Sequence, residues 1–141
     1  MRRHDSDLDH LAMIPLFGGC TKGELTLISQ KAERVSFTAG QVLTKQGSLG
    51  YEFFIIVDGE AEVSRDGKMI ATLRSGDYAG ELALLDREPR NATVTAKTDM
   101  QVILLGYQEF WSVLSAAPGL DKKLLITMAK RLRAAESTPV A

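Results

Sequence analysis

Five glycines, Gly40, Gly50, Gly59, Gly67 and Gly76, punctuate the middle of the chain at intervals of 10, 9, 8 and 9 residues. Segments this short, bounded by turn residues, fit strands rather than helices, and a succession of them points to a sandwich or a barrel. The residues between agree. Val35 and Phe37 alternate with Arg34, Ser36 and Thr38; Ala61 and Val63 alternate with Glu60, Glu62 and Ser64; Ala92, Val94 and Ala96 alternate with Thr93, Thr95 and Lys97. Period-two alternation is the mark of a half-buried strand. Asp58-Gly59 and Asp66-Gly67 are the expected hairpin turns, because a type I′ turn needs positive φ at both central positions. With the apolar stretch Val102 to Leu105, the count reaches about eight strands, enough for a jelly roll of two packed sheets.

Helical spacing frames this region on both sides. Leu8, Leu11 and Ala12 fall one turn apart, and Pro15 ends that pattern by removing a donor. Thr21 and Glu24 have the spacing of a capping box, which predicts a short helix over 21–32 carrying Leu25, Ile28 and Ala32. After Gly106 the period turns helical again over Gln108 to Ala116, with Phe110, Trp111, Val113 and Leu114, and Pro118 opens an expected final helix with Leu120, Leu124, Ile126, Met128 and Leu132. The expected organisation is a single domain over 1–136. It comprises an N-terminal helical segment 1–32, a β-roll 33–106 and two C-terminal helices over 108–135, with 137–141 as a flexible tail.

Composition narrows the class. The 141 residues support one sizeable core. Seventeen basic residues against eighteen acidic ones create no global field for nucleic acid or an anionic membrane. The longest purely apolar run, Phe53 to Val57, is far shorter than a membrane helix requires, and no secretory leader pattern opens the chain. Cys20 stands alone, so one chain forms neither a disulfide framework nor a thiolate zinc site. The expected location is the cytoplasm.

One segment interrupts the strand pattern: Gly76 to Val94. Gly80 is followed by a turn's worth of helix formers, Glu81 to Leu85. A helix entered through a glycine offers unpaired amides to an anion, and the glycine allows close backbone approach. Arg90, ten residues on and just before a strand, is placed to bring a planar fork of donors back to the same anion. Glu81 is suited to accept from ligand hydroxyls. An anion beside a hydroxyl describes a sugar phosphate. Glu81 also suits a helix start through the macrodipole, and Arg90 has the alternative of covering apolar surface with its stem.

The run Gly80-Glu81-Leu82-Ala83-Leu84, followed by Pro89-Arg90-Asn91-Ala92-Thr93-Val94, resembles the phosphate-binding cassette of the cyclic nucleotide-binding domains. These domains occur in cAMP-dependent protein kinase regulatory subunits, cyclic nucleotide-gated channels and catabolite-activator-type regulators. The order of helices, eight-stranded antiparallel β-roll and two terminal helices is similar too, so the resemblance extends over almost the whole chain. It implies a mainly β fold with flanking helices, a cassette over 76–94 and a cyclic nucleotide ligand. Arg90 would pair with an exocyclic oxygen of the cyclic phosphate and Glu81 with the ribose 2′-hydroxyl. The amides of Leu82 and Ala83 would complete the cradle beside Gly80, with Asn91 and Ala92 following the arginine. The last helix would close over the base, with Arg131 or Leu132 touching the purine. Two positions depart from the pattern. Ala79 stands where the family usually has an aromatic residue, and Asn91 where it usually has Ala, Ser or Thr. A hydroxyl there favours cGMP and Ala favours cAMP; Asn can also accept, so base choice stays open, with cAMP the expectation.

Other functions fit less well. A cupin-type metal enzyme needs several histidines on inward-facing strands, whereas His4 and His10 precede the first strand. Neither a general acid–base pair nor a nucleophile is evident, so the expectation is a binding module and not an enzyme. A DNA-binding regulator needs a helix-turn-helix, for which few residues follow the last helix; this leaves open the effector fragment of a larger regulator, although Met1-Arg2-Arg3 reads as a natural start. A ligand-free roll serving protein interaction is the remaining alternative. A sensor without its own output implies a partner chain or an output domain elsewhere.

Overall fold

The computed structural model describes residues 3–80, 84–86 and 88–135. Helix α1 (Arg3–Ala12) leads into a single 3-10 turn at Pro15–Phe17 and then α2 (Lys22–Lys31). The proline that ends the first pattern thus opens the next turn, where its missing N–H costs nothing. Thr21 caps α2: its side chain accepts from the Glu24 amide at 3.1 Å, and the Glu24 carboxylate accepts from the Thr21 amide at 2.8 Å. The capping box expected from spacing is present in full.

Eight strands follow among the described residues, in two four-stranded sheets. One sheet runs β1 (Glu33–Phe37), β8 (Met100–Gly106), β3 (Glu52–Asp58), β6 (Tyr78–Ala79); the other runs β2 (Val42–Thr44), β7 (Thr93–Ala96), β4 (Ala61–Arg65), β5 (Lys68–Leu73). Every pairing between them is antiparallel. Helices α3 (Tyr107–Ala116) and α4 (Leu120–Ala135) complete the described chain. The eight-stranded antiparallel roll with N-terminal and two C-terminal helices is therefore the observed architecture.

The apolar run in β3 is explained by burial on both faces. Phe53 and Ile55 join the helix-facing core with Leu16, Phe17, Phe110 and Leu120. Phe54 and Ile56 point the other way, into a core between the sheets with Ala61, Val94 and Val102. Successive side chains on a strand leave on opposite faces, so a strand between two cores reads as continuously apolar.

Two local expectations need correction. Asp66-Gly67 forms the expected hairpin: Arg65 pairs with Lys68, and φ is 53° at Asp66 and 79° at Gly67. Asp58-Gly59 does not. Of that pair only Gly59 has positive φ (96°), and β3 and β4 belong to different sheets. Gly59 instead makes a corner where a Cβ would lie 2.9 Å from the Met100 side chain and overlap the Asp99 carbonyl. The need there is for space as much as for a turn. The final helix also starts later than Pro118, at Leu120, after a Pro118-Gly119 turn in which Gly119 has φ 84°.

Candidate functional site

A cavity of about 460 Å³ opens between residues of the two sheets and the segment 88–92. Val63, Leu73 and Val94 contribute apolar wall, while Tyr78 and Ala79 come from the opposite sheet and Gly80 follows them. Arg90, Asn91 and Ala92 close one side, with Asp86 and Glu88 beside them. The volume suits a small organic ligand. Of the residues expected from sequence, Gly80, Arg90, Asn91 and Ala92 are brought together on this cavity. Glu81, Leu82 and Ala83 lie outside the described residues.

Arg90 is held from several directions. Its amide donates to the Ser48 carbonyl at 2.7 Å, and its own carbonyl accepts from the Gly47 amide at 2.8 Å. One guanidinium nitrogen donates to the Glu52 carbonyl. The guanidinium carbon lies 5.8 Å from the centre of the Phe54 ring, a cation–π contact. The side chain crosses Gly50, where any Cβ would meet the Arg90 Cδ at 2.9 Å. Gly50, expected only as a turn residue, thus leaves room for the arginine.

The arrangement leaves Arg90 incompletely satisfied. Its Nε is buried and has no hydrogen-bond partner. Burial lowers the guanidinium pKa, and the Glu52 carboxylate partly offsets this. Among the described residues the ion pairs are Arg74–Glu60, Lys97–Glu60 and Lys123–Glu24, none of which involves Arg90. A half-buried cation without a directly bonded carboxylate is destabilised relative to water, and an anion in the cavity would relieve that.

Gly80 is the second fixed point. Its φ is +80°, a conformation L side chains rarely adopt. A Cβ there would lie 2.8 Å from the Glu52 carbonyl and collide with the Arg90 guanidinium. Glycine is therefore required by both backbone and space.

The aromatic residue that the resemblance leads one to expect at Ala79 has a counterpart on the neighbouring strand. Ala79 pairs across the ladder with Phe54, and both belong to the core between the sheets. The ring beneath the arginine comes from the partner strand. Sequence reasoning missed Phe54 and Gly50 as site residues. Their place in an apolar run and at a regular turn interval gave no sign of a neighbour 36 to 40 residues away.

The helix expected as a lid lies elsewhere. Leu120 and Leu124 of α4 are buried in the core with Leu11, Leu16 and Phe17. Lys123 bonds Glu24 of α2 at 2.8 Å. Leu132 is 65% exposed, and no described residue of α4 lines the cavity. The Arg131 side chain is outside the description. Trp111 connects differently: its indole donates to the Leu84 carbonyl at 2.8 Å and packs edge-on to Phe110.

Comparison with known proteins agrees with this geometry. The family model for the cyclic nucleotide-binding domain matches residues 34–117. The chain is 41% identical over 93 residues to a cAMP-dependent protein kinase regulatory subunit of Schizosaccharomyces pombe, covering 65% of this chain and 23% of that protein. Among solved structures, the N-terminal domain of a transcriptional regulator from Streptomyces coelicolor A3(2) superposes with a TM-score of 0.86 at 26% identity, over 94% of this chain and 99% of the other. The regulatory domain of Toxoplasma gondii PKA, crystallised with cAMP, superposes with a TM-score of 0.72 at 25% identity, over 91% of this chain and 50% of that one. The roll with a cation at one end of its cavity is thus the architecture of a ligand-binding regulatory module. The chain belongs to the cyclic nucleotide-binding domain family. It spans about a quarter of the length of the curated relatives it matches. Among the described residues no helix is long and apolar enough to cross a membrane.

Proposed function

We propose that this domain binds a cyclic nucleotide, cAMP in preference to cGMP, as a non-catalytic sensor, and passes the binding event to a protein partner or output domain. The observation that carries the reading is Arg90: a half-buried guanidinium above a ring, with one nitrogen lacking a partner, at the rim of a cavity of ligand size. A cyclic phosphate in the cavity would supply the counter-charge that the guanidinium lacks. Gly80 allows the phosphate close to the backbone, with the amides of Leu82 and Ala83 completing the cradle. Glu81 accepts from the ribose 2′-hydroxyl, which a 3′,5′-cyclic phosphate leaves free. Asn91 and Ala92 follow the arginine along the cavity wall, and Asn91 is the residue placed to choose between bases.

The contacts of the two last helices support one route of transmission. The Trp111–Leu84 bond lets a cassette that tightens on ligand pull α3 about Gly106. In this mechanism α4 leaves its seat against the N-terminal helices and brings Arg131 or Leu132 over the base. Calorimetric titration with cAMP, cGMP and 2′-deoxy-cAMP tests the reading. The expected result is one nucleotide per chain, tighter for cAMP, with the 2′-deoxy analogue distinctly weaker. Absence of heat with all three, together with an unshifted melting temperature, would refute it; equal binding of the deoxy analogue would remove Glu81 from the site.

A further inference from the structure

The ladder between β4 and β7 runs Ala61–Ala96, Glu62–Thr95, Val63–Val94 and Ser64–Thr93. The next rung would set Arg65 opposite Ala92, but the strand pairing stops there, because β7 begins at Thr93. The Asn91 carbonyl is therefore beyond the last rung, with no strand to receive it. Arg65 takes its place: its Nε donates to that carbonyl at 2.9 Å. A side chain from the end of β4 substitutes for the missing backbone donor.

The root of this side chain is itself fixed. Asp66, the next residue, makes two reciprocal bonds with Gln46: the Gln46 amide group donates to its carboxylate, and its backbone N–H donates to the Gln46 carbonyl oxygen, both at 2.9 Å. The Gln46 backbone N–H in turn donates to the Thr93 hydroxyl at 2.9 Å. The hairpin tip, the loop before β3 and the start of β7 are thus cross-linked around residues 90–93. Within that stretch Arg90 is anchored through both backbone groups and Thr93 by the ladder. Among the described residues of this stretch, the peptide between Asn91 and Ala92 is held by a side chain, through the Arg65 bond to its carbonyl. Both residues line the cavity.

We infer that Arg65 is a positioning residue for the nucleotide site: by holding the Asn91 carbonyl it sets the peptide plane that follows Arg90 along the cavity wall. The inference rests on the nucleotide reading above. Arg65 is exposed and supports no core, so its loss should loosen the site without unfolding the roll.

The test compares wild type, Arg65→Ala and Arg65→Lys, titrated with cAMP at low and high salt. Melting temperature without nucleotide and amide exchange at residues 90–93 are measured alongside. A single exposed hydrogen bond predicts affinity about two- to tenfold weaker for Arg65→Ala, with the melting temperature lowered by no more than about 5 °C. The loss should persist at high salt, since orientation is not screened, and should be seen mainly in faster dissociation. Exchange should quicken at Asn91 and Ala92, and Arg65→Lys should recover part of the affinity. A loss that vanishes at high salt would make Arg65 only a distant charge and overturn the inference. So would an Arg65→Ala affinity equal to that of a wild type that binds. A wild type that takes up no cAMP would instead refute the nucleotide reading, and the positioning role would fall with it.

Discussion

The Trp111 indole donates to the backbone carbonyl of Leu84 at 2.8 Å, so a side chain joins α3 to the chain two residues before Asp86, which lines the cavity. Leu84 is itself fully buried in the helix-facing core, the cluster that also holds Phe110 and Val113 of α3. Any displacement of this segment must either break the bond or carry α3 with it.

This makes the protein's single tryptophan a reporter. Its emission should change in proportion to cAMP occupancy. Trp111→Phe keeps the aromatic packing on Phe110 but removes the donor, and should cost about 1 kcal/mol in a urea titration. An emission spectrum that stays constant through saturation would mean that α3 does not sense the cavity.

Gly80→Ala tests the cassette backbone. A side chain at φ +80° is strained, and its Cβ would meet the Glu52 carbonyl and the Arg90 guanidinium. The expected cost is about 1–3 kcal/mol of stability, with cAMP affinity reduced at least about tenfold. Thermal melts and calorimetry on one preparation separate the two effects. Wild-type affinity in this variant would show that the ligand does not use this close approach.

The bond between Lys123 and Glu24 gives a pH signature. The lysine, followed by the Thr21 backbone, holds the Glu24 carboxyl below the ordinary glutamate range. A lowered folded-state pKa contributes stability that is fully present above the ordinary value and lost as pH falls through the lowered one. The wild-type advantage in melting temperature over Lys123→Ala should therefore be largest near neutrality and shrink on acidification. A gap independent of pH would show that the pair does not hold α4 to α2.

Much of this was legible in the sequence because it depends on local chemistry. The capping box at Thr21 and Glu24 needs only two residues three apart, and it formed as expected. The Asp66-Gly67 turn is equally local. Asp58-Gly59 shares the same residue types, yet its chain crosses from one sheet to the other, and nothing local states which sheet the next strand joins. The cassette residues stood out because Gly80 and Arg90 are unusual between strands. Their supports did not: Phe54 and Gly50 reach Arg90 across the fold, and Arg65 meets Asn91 from 26 residues away. Side-chain bonds to distant carbonyls carry no spacing rule. The seat of α4 was similarly hidden, since an apolar stripe at Leu120 and Leu124 specifies burial but not the surface it is buried against.

The central claim is that Arg90 awaits an anion, and the most direct test is cAMP titration of wild type beside Arg90→Ala and Arg90→Lys. A charge-assisted contact of about 1.5–3 kcal/mol, larger where its loss strands a buried charge, predicts about 10- to 1000-fold weaker binding for the alanine variant. The lysine should recover only part of this, because it lacks the planar fork. All three proteins should remain folded by thermal melt. Binding in Arg90→Ala as tight as in wild type would contradict the account.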